Sequence, residues 1–169
     1  MCDELVAVFT RTIDGLVKRP VEEVFAFLEE PDNRVRYDQG VQSLELSERT
    51  PEGVGSHGTL RMNFLGRSYE RPWVVTEYEP PTKLVIASKA RPFATWVGFE
   101  LAGREQLTWI ELSATGRPGG LSRLLEPLMA RAAERRLVRV LDKLADLLEN
   151  EPELVATTTG PTDRDAADD

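Results

Sequence analysis

The chain has a single cysteine, Cys2, and a single histidine, His57, among 169 residues. One cysteine makes no intramolecular disulfide, so nothing supports folding in an oxidising compartment. As a nucleophile, Cys2 would sit in a terminal segment with only one histidine in the chain to activate it. Two such residues fall short of a zinc or haem ligand set, so no metal and no cofactor are expected. No run approaches the roughly 20 apolar residues of a membrane span. Met1-Cys2-Asp3-Glu4 carries acids where a signal peptide needs basic residues, and a cytoplasmic location is expected. A basic excess is missing as well. Asp and Glu number 29 against 21 Lys and Arg, for a net charge of −8, which argues against nucleic-acid binding. Most of that charge is local, because residues 150–169 hold six acids against Arg164 alone and so carry −5 of it.

What is present suits one globular domain. Hydrophobic residues make up 41% and charged residues 30%, an ordinary balance for a packed core. The length fits a single domain over 1–149, followed by an acidic tail over 150–169 that is expected to be disordered.

Residues 5–17 are rich in Val, Thr, Phe and Ile and read as a first strand. Pro20, with Glu22 and Glu23 behind it, then opens a short helix in which Val21, Val24, Phe25 and Leu28 recur at helical spacing. Pro31 stops it, and Pro31 to Tyr37 can form a second short helical turn. From residue 40 the period shortens. Residues 41–48, 55–65, 68–78, 83–89, 95–101 and 107–114 read as strands, separated by turn residues such as Thr50-Pro51-Glu52-Gly53, Gly66-Arg67, Pro80-Pro81 and Ala102-Gly103-Arg104. Connections this short imply antiparallel pairing. Residues 121–149 carry one long leucine-rich stripe, with Arg131, Arg135, Arg139 and Lys143 on another side. Twenty-nine residues predict a rod of about 43 Å, bent if Pro127 lies inside it.

The class is therefore α+β: a curved seven-stranded antiparallel sheet around a long C-terminal helix, with two short helices after the first strand. One helix cannot fill a concave face along its whole length. Met129, Ala132 and Ala133 are small or flexible where Leu137 to Leu148 are dense, so the hollow is expected near Leu125–Ala133. The alternative is that the alanines only allow close helix–sheet contact.

The segment Lys18-Arg19-Pro20-Val21-Glu22-Glu23-Val24-Phe25-Ala26-Phe27-Leu28, then Pro31-Asp32-Asn33 and Tyr37-Asp38-Gln39-Gly40-Val41, resembles the opening of the SRPBCC superfamily. More narrowly, it resembles the polyketide cyclase/dehydrase group. Gly53-Val54-Gly55, Val75-Thr76-Glu77-Tyr78-Glu79-Pro80-Pro81 and Leu107-Thr108-Trp109 extend the likeness over about residues 5–149. The resemblance implies the helix-grip fold shared with START domains and pollen-allergen-like proteins, and a cavity between sheet and C-terminal helix. That group includes aromatase/cyclases and lipid or hormone carriers. Tyr37 stands where the group often has Trp.

By that resemblance Tyr78 faces the cavity, where its phenol could donate a proton to a carbonyl or enolate and make it the candidate catalytic residue. The plain alternative is a tyrosine that caps the core and bonds locally. Tyr37 is placed at the cavity rim. The expected lining is Leu60, Met62, Phe64, Val74 and Thr76 from strands, and Leu125, Leu128, Met129 and Ala132 from the helix. A three-residue turn at Ala102-Gly103-Arg104 would add Phe99 and Trp109 on one face, the favoured register. A two-residue turn would instead group Trp96, Gly98, Leu107 and Trp109. His57 opens a strand and suits the surface. Glu100 and Glu111 could pair across a hairpin as an acid/base couple, or simply face solvent. The arginine stripe could meet an acidic acyl-carrier or other protein partner, or be a solvated helix face.

Three functions follow. The first is a carrier that binds an apolar small molecule such as a lipid or polyketide. The second is a cofactor-independent cyclase, aromatase or dehydratase acting on a bound poly-β-keto chain. The third is a protein-interaction module with a vestigial pocket.

Overall fold

The computed structural model describes residues 9–64, 66–90, 93–118 and 124–150. Cys2 and the acidic tail beyond Asn150 lie outside them. Strand β1 (Phe9–Val17) leads into helix α1 (Val21–Glu29), a 3-10 turn (Pro31–Asn33) and a one-turn helix α2 (Arg34–Tyr37). Six strands follow: β2 (Val41–Glu48), β3 (His57–Phe64), β4 (Arg67–Glu79), β5 (Lys83–Ser88), β6 (Phe93–Arg104) and β7 (Leu107–Pro118). Helix α3 (Glu126–Asn150) completes the order. The strands form one antiparallel sheet in the order β1-β7-β6-β5-β4-β3-β2, curved and open, with β1 and β2 as its edges. This is the helix-grip arrangement.

Helix α1 begins at Pro20, with Glu22 and Glu23 in its first turn, and buries Val24, Phe25, Phe27 and Leu28. Its carbonyl end is closed from the next turn, where the buried Asn33 donates its Nδ2 hydrogen to the Phe27 carbonyl at 3.0 Å. That satisfies one of the acceptors every helix end leaves unpaired. Helix α3 packs chiefly on β1 and then on β7, burying Leu137, Val140, Leu141, Leu144, Leu147 and Leu148. Its far end is held by the β1–α1 junction. The Arg19 guanidinium donates to the Leu148 carbonyl at 2.6 Å, and the Lys18 amide donates to Glu149 Oε1 at 3.0 Å.

Two boundaries differ from those expected. Helix α3 starts at Glu126, so Pro127 stands in its first turn, where the missing N–H costs nothing and no bend is needed. Residues 121–123 of the expected helix lie outside the described residues. The β6–β7 turn is Glu105-Gln106, since Arg104 still pairs with Leu107. Gly103 is therefore a strand residue rather than a turn residue. A Cβ there would come within 2.6 Å of Val21 Cγ1, so this glycine clears space for α1 to cross β6.

That turn decides which residues share a face. Phe99 and Leu101 pair with Leu112 and Ile110, and all four are buried in the core. Trp109 pairs with Ala102 and Leu16 on the outer face and is 45% exposed. The favoured grouping of Phe99 with Trp109 is overturned. The turn falls two residues later than expected, and a displaced register exchanges the faces of a strand. Trp96, Gly98, Leu107 and Trp109 share the outer side, as in the other grouping.

Candidate functional site

The side chains of α3 do not close over the β2–β5 half of the sheet, and a pocket of about 350 Å³ opens there. Its floor is Leu44 of β2, Trp73 and Val75 of β4, and Leu84 and Ile86 of β5. The loop between β2 and β3 forms one wall with Thr50, Pro51, Gly53 and Ser56, and Glu29 and Pro31 form the rim. The expected hollow between the sheet and the first half of the C-terminal helix is thereby corrected. Leu125 and Leu128 are 55% and 66% exposed, Ala132 is exposed and Met129 is half-buried. Helix α3 lies over β1 and β7 instead, because its buried stripe begins only at Ala130.

The pocket depends on one irregularity. Trp73 and Val75 alternate inward along β4, and continued alternation would bring Glu77 inward next. Between Val75 and Glu77 the pairing with β5 shifts by one residue. A bulge of this kind re-aims the side chains that follow it. Glu77 becomes exposed and Tyr78 turns into the pocket. Of the three β4 residues expected on one face, Val74, Thr76 and Tyr78, only Tyr78 lines the pocket. Val74 lies between two inward residues and so faces outward. Thr76 occupies the bulge, with its hydroxyl 3.4 Å from the Val85 carbonyl.

The Tyr78 hydroxyl donates to Glu29 Oε2 at 2.5 Å. The edge of the ring meets Phe25, with centroids 5.5 Å apart. Burial and the Glu29 carboxylate push the phenol up to about 12, so at neutral pH it keeps its proton and acts as a donor. Gly53 presses on the same ring: its φ is +77°, and a Cβ there would lie 2.3 Å from Tyr78 Cδ1. The loop carrying Gly53 is stitched to β4. The Gly55 amide donates to the Val75 carbonyl, and the Val75 amide to the Ser56 carbonyl, both at 2.8 Å. Within the loop, the Thr50 amide donates to Ser56 Oγ at 2.9 Å. Trp73 donates its indole N–H to the Glu45 carbonyl at 3.2 Å, fixing the floor. Arg49 adds a cation at the edge, 3.5 Å from Glu30.

The remaining candidates fall elsewhere. Tyr37 is not at a rim: it is 1% exposed, packed among Phe27, Phe99 and Arg34. Burial raises its phenol, partly opposed by the neighbouring Arg34. Beside it Asp38 is buried and receives both Arg136 Nε at 3.0 Å and Arg136 Nη2 at 2.7 Å, tying α2 to α3. Burial alone would raise the Asp38 carboxyl, but Arg136 and Arg34 hold it below the usual carboxylate range. Leu60 and Met62 do turn inward, but neither lines the pocket. The Phe64 side chain lies outside the described residues. Phe99 is core, and His57 is exposed, with Nδ1 3.1 Å from the Gly55 carbonyl. Glu100 and Glu111 stand opposite each other, but both are exposed on the outer face, and Lys83 lies 3.5 Å from Glu100.

Glu29, Arg49 and the Trp73–Val75 floor were not foreseen. The apolar pair Trp73 and Val75, spaced by two, was a legible signal for an inward face. Nothing in the sequence ties Glu29, at the end of a helix, to Tyr78, 49 residues on. Among the described residues no cluster of His, Cys, Asp and Glu could hold a metal ion. No described helix is long and apolar enough to cross a membrane.

A family model described as polyketide cyclase / dehydrase and lipid transport matches residues 7–149. No curated protein matches by sequence. Solved structures are similar in fold at low identity. TTHA0849 from Thermus thermophilus superposes with a TM-score of 0.70 at 15% identity, over 90% of this chain and 100% of its own. The di-domain ARO/CYC StfQ of the steffimycin biosynthetic pathway gives 0.68 at 14%, over 82% of this chain but 50% of its own, so the present chain spans about half of it. A START superfamily protein from Mycobacterium smegmatis gives 0.67 at 12%, over 83% and 98%.

Proposed function

The chain belongs to the polyketide cyclase / dehydrase and lipid transport family, and from that premise we propose that it holds an apolar small molecule, a lipid or polyketide, in the pocket over β2, β4 and β5. The observation that carries this is the lining. Leu44, Leu46, Trp73, Val75, Leu84 and Ile86 are apolar, and the ionisable or hydroxyl groups of Glu29, Arg49 and Tyr78 stand with them. Small-molecule sites have this make-up: an apolar body for affinity and a few polar groups for orientation. A volume of about 350 Å³ suits a compact ligand or one segment of a longer chain.

The Tyr78–Glu29 pair supports a second reading, a cyclase or dehydratase. A substrate carbonyl that replaced Glu29 as the phenol's acceptor would be polarised by it. The freed carboxylate would then be close enough to take an α-proton. Holding a poly-β-keto chain bent would supply proximity.

Native mass spectrometry after gentle purification tests the first reading. A retained small molecule is expected, lost in an Ile86→Trp variant that fills the floor. Wild-type protein that carries nothing, and that binds the apolar dye anilinonaphthalene sulfonate no better than the variant does, would sink it. Tyr78→Phe separates the two readings. A carrier keeps its ligand affinity, whereas an enzyme keeps binding and loses turnover.

A further inference from the structure

The first half of α3 presents to solvent a face that the fold does not use. Leu124 lies two residues ahead of the helix and is 81% exposed; Leu128 is 66% and Val138 45% exposed. They recur at helical spacing with Arg131 and Arg135, on the side opposite the buried Leu137, Val140 and Leu144. Arg139 flanks the same strip and is exposed. Among the described residues none of these three arginines has a carboxylate partner. The one acid between residues 128 and 139, Glu134, is turned aside to Arg11 at 3.7 Å. A chain with a net charge of −8 therefore carries, on one helix face, a strip of three uncompensated cations interleaved with bare aliphatic side chains.

We propose that this face docks on an anionic lipid bilayer, with the aliphatic side chains entering the headgroup boundary and the arginines meeting lipid phosphates. An interfacial helix needs this combination of apolar anchors among basic residues. Arginines close to an anionic leaflet each add to the attraction. An acidic protein partner would share the charge preference, but the face offers only a shallow depression, lined by Arg131, Glu134, Arg135, Val138 and Arg139. Protruding leucines on a convex rod suit a deformable surface better than a shaped one. The docking face shares no residue with the pocket, so the proposal stands or falls apart from the ligand reading.

The test is sedimentation of the full chain with vesicles of phosphatidylcholine, with and without phosphatidylserine. Binding is expected only with phosphatidylserine and should weaken steeply as salt rises. The triple variant Arg131→Gln, Arg135→Gln, Arg139→Gln is expected to lose about a hundredfold in vesicle affinity, and Leu124→Ser with Leu128→Ser a comparable amount. All five positions are exposed, so the urea midpoint should hold. A tryptophan probe, Leu128→Trp, should shift its emission to the blue on phosphatidylserine vesicles. No binding to such vesicles, equal binding to neutral ones, unchanged binding by both variants, or capture by an acidic acyl-carrier protein without vesicle binding would each overturn the proposal.

Discussion

Over β1 and β7 the inner face of the sheet is covered by Leu137, Val140, Leu141, Leu144 and Leu148 of α3. Over β2, β4 and β5 it is covered by the end of α1, a 3-10 turn and a loop. The first half is close-packed and the second is hollow. The difference shows where stability and function separate in this fold. A single helix seals the strands it lies on, and the strands beyond its reach keep apolar side chains facing an open space. Leu84 and Val75 are buried like Leu144, at 2% and 7% exposure, but part of their surface also lines the pocket, which no side chain of α3 fills.

The contrast can be tested by substitution. Leu144→Ala, at a fully buried position, should cost about 2–5 kcal/mol in urea unfolding, whereas Leu128→Ala on the exposed half of α3 should stay within about 0.5 kcal/mol. Similar losses at the two positions would break the division of the helix into a packed and a free half.

Asp38→Asn should cost about 3 kcal/mol, because it leaves Arg34 and Arg136 facing a neutral amide in a buried site. Its signature is a pH dependence. The folded carboxyl titrates below the usual carboxylate value. Its stabilisation is therefore full above a pH of about 4 and fades as pH falls through the lower folded value. The variant should lose that acid-side slope, and an unchanged acid limb in the variant would refute the assignment.

Gly53→Ala probes the hollow half. A left-handed backbone and a Cβ against the Tyr78 ring should cost about 1–3 kcal/mol. The same change should weaken dye binding, because the loop is the pocket wall. A variant of full stability with unaltered binding would mean the loop moves freely, contrary to its bonds with β4.

A smaller effect than that of Gly53→Ala is expected from Tyr78→Phe. Removing a half-exposed hydroxyl should cost about 1 kcal/mol. The wild-type phenol is raised to about 12, so its contribution is full below the usual phenol value of about 10 and fades as pH climbs through about 12. Phenolate absorbance should show a late step that the variant lacks. Loss of several kcal/mol would make Tyr78 a core residue rather than part of an open pocket.

Much of the architecture was legible. Seven short alternating segments with turn chemistry between them, two short helices and one long leucine stripe correspond to the observed elements within a few residues. Tyr78 was singled out through a resemblance and not through its period. Val74, Thr76, Trp109, Met129 and Ala132 fall away from the pocket for three physical reasons. The bulge at Thr76 exchanges the faces of β4 within one strand, so Val74 and Trp73 swap the roles that Tyr78 would suggest. Gly103 looks like a turn residue but serves a helix crossing. Met129 and Ala132 lie on a helix whose packed stripe starts too late to bring them over the hollow.

By itself the sequence determined the kinds of element, their order, the antiparallel connectivity and the buried stripe of the second half of α3, from Leu137 to Leu148. These depend on local period, on turn residues and on short connections, all of which act between near neighbours. Only the tertiary structure decided which strands α3 covers, which face Trp109 takes and that Glu29 meets Tyr78. Those outcomes depend on register and on the length left uncovered when elements far apart in the chain pack together, and a slip of one residue reverses them.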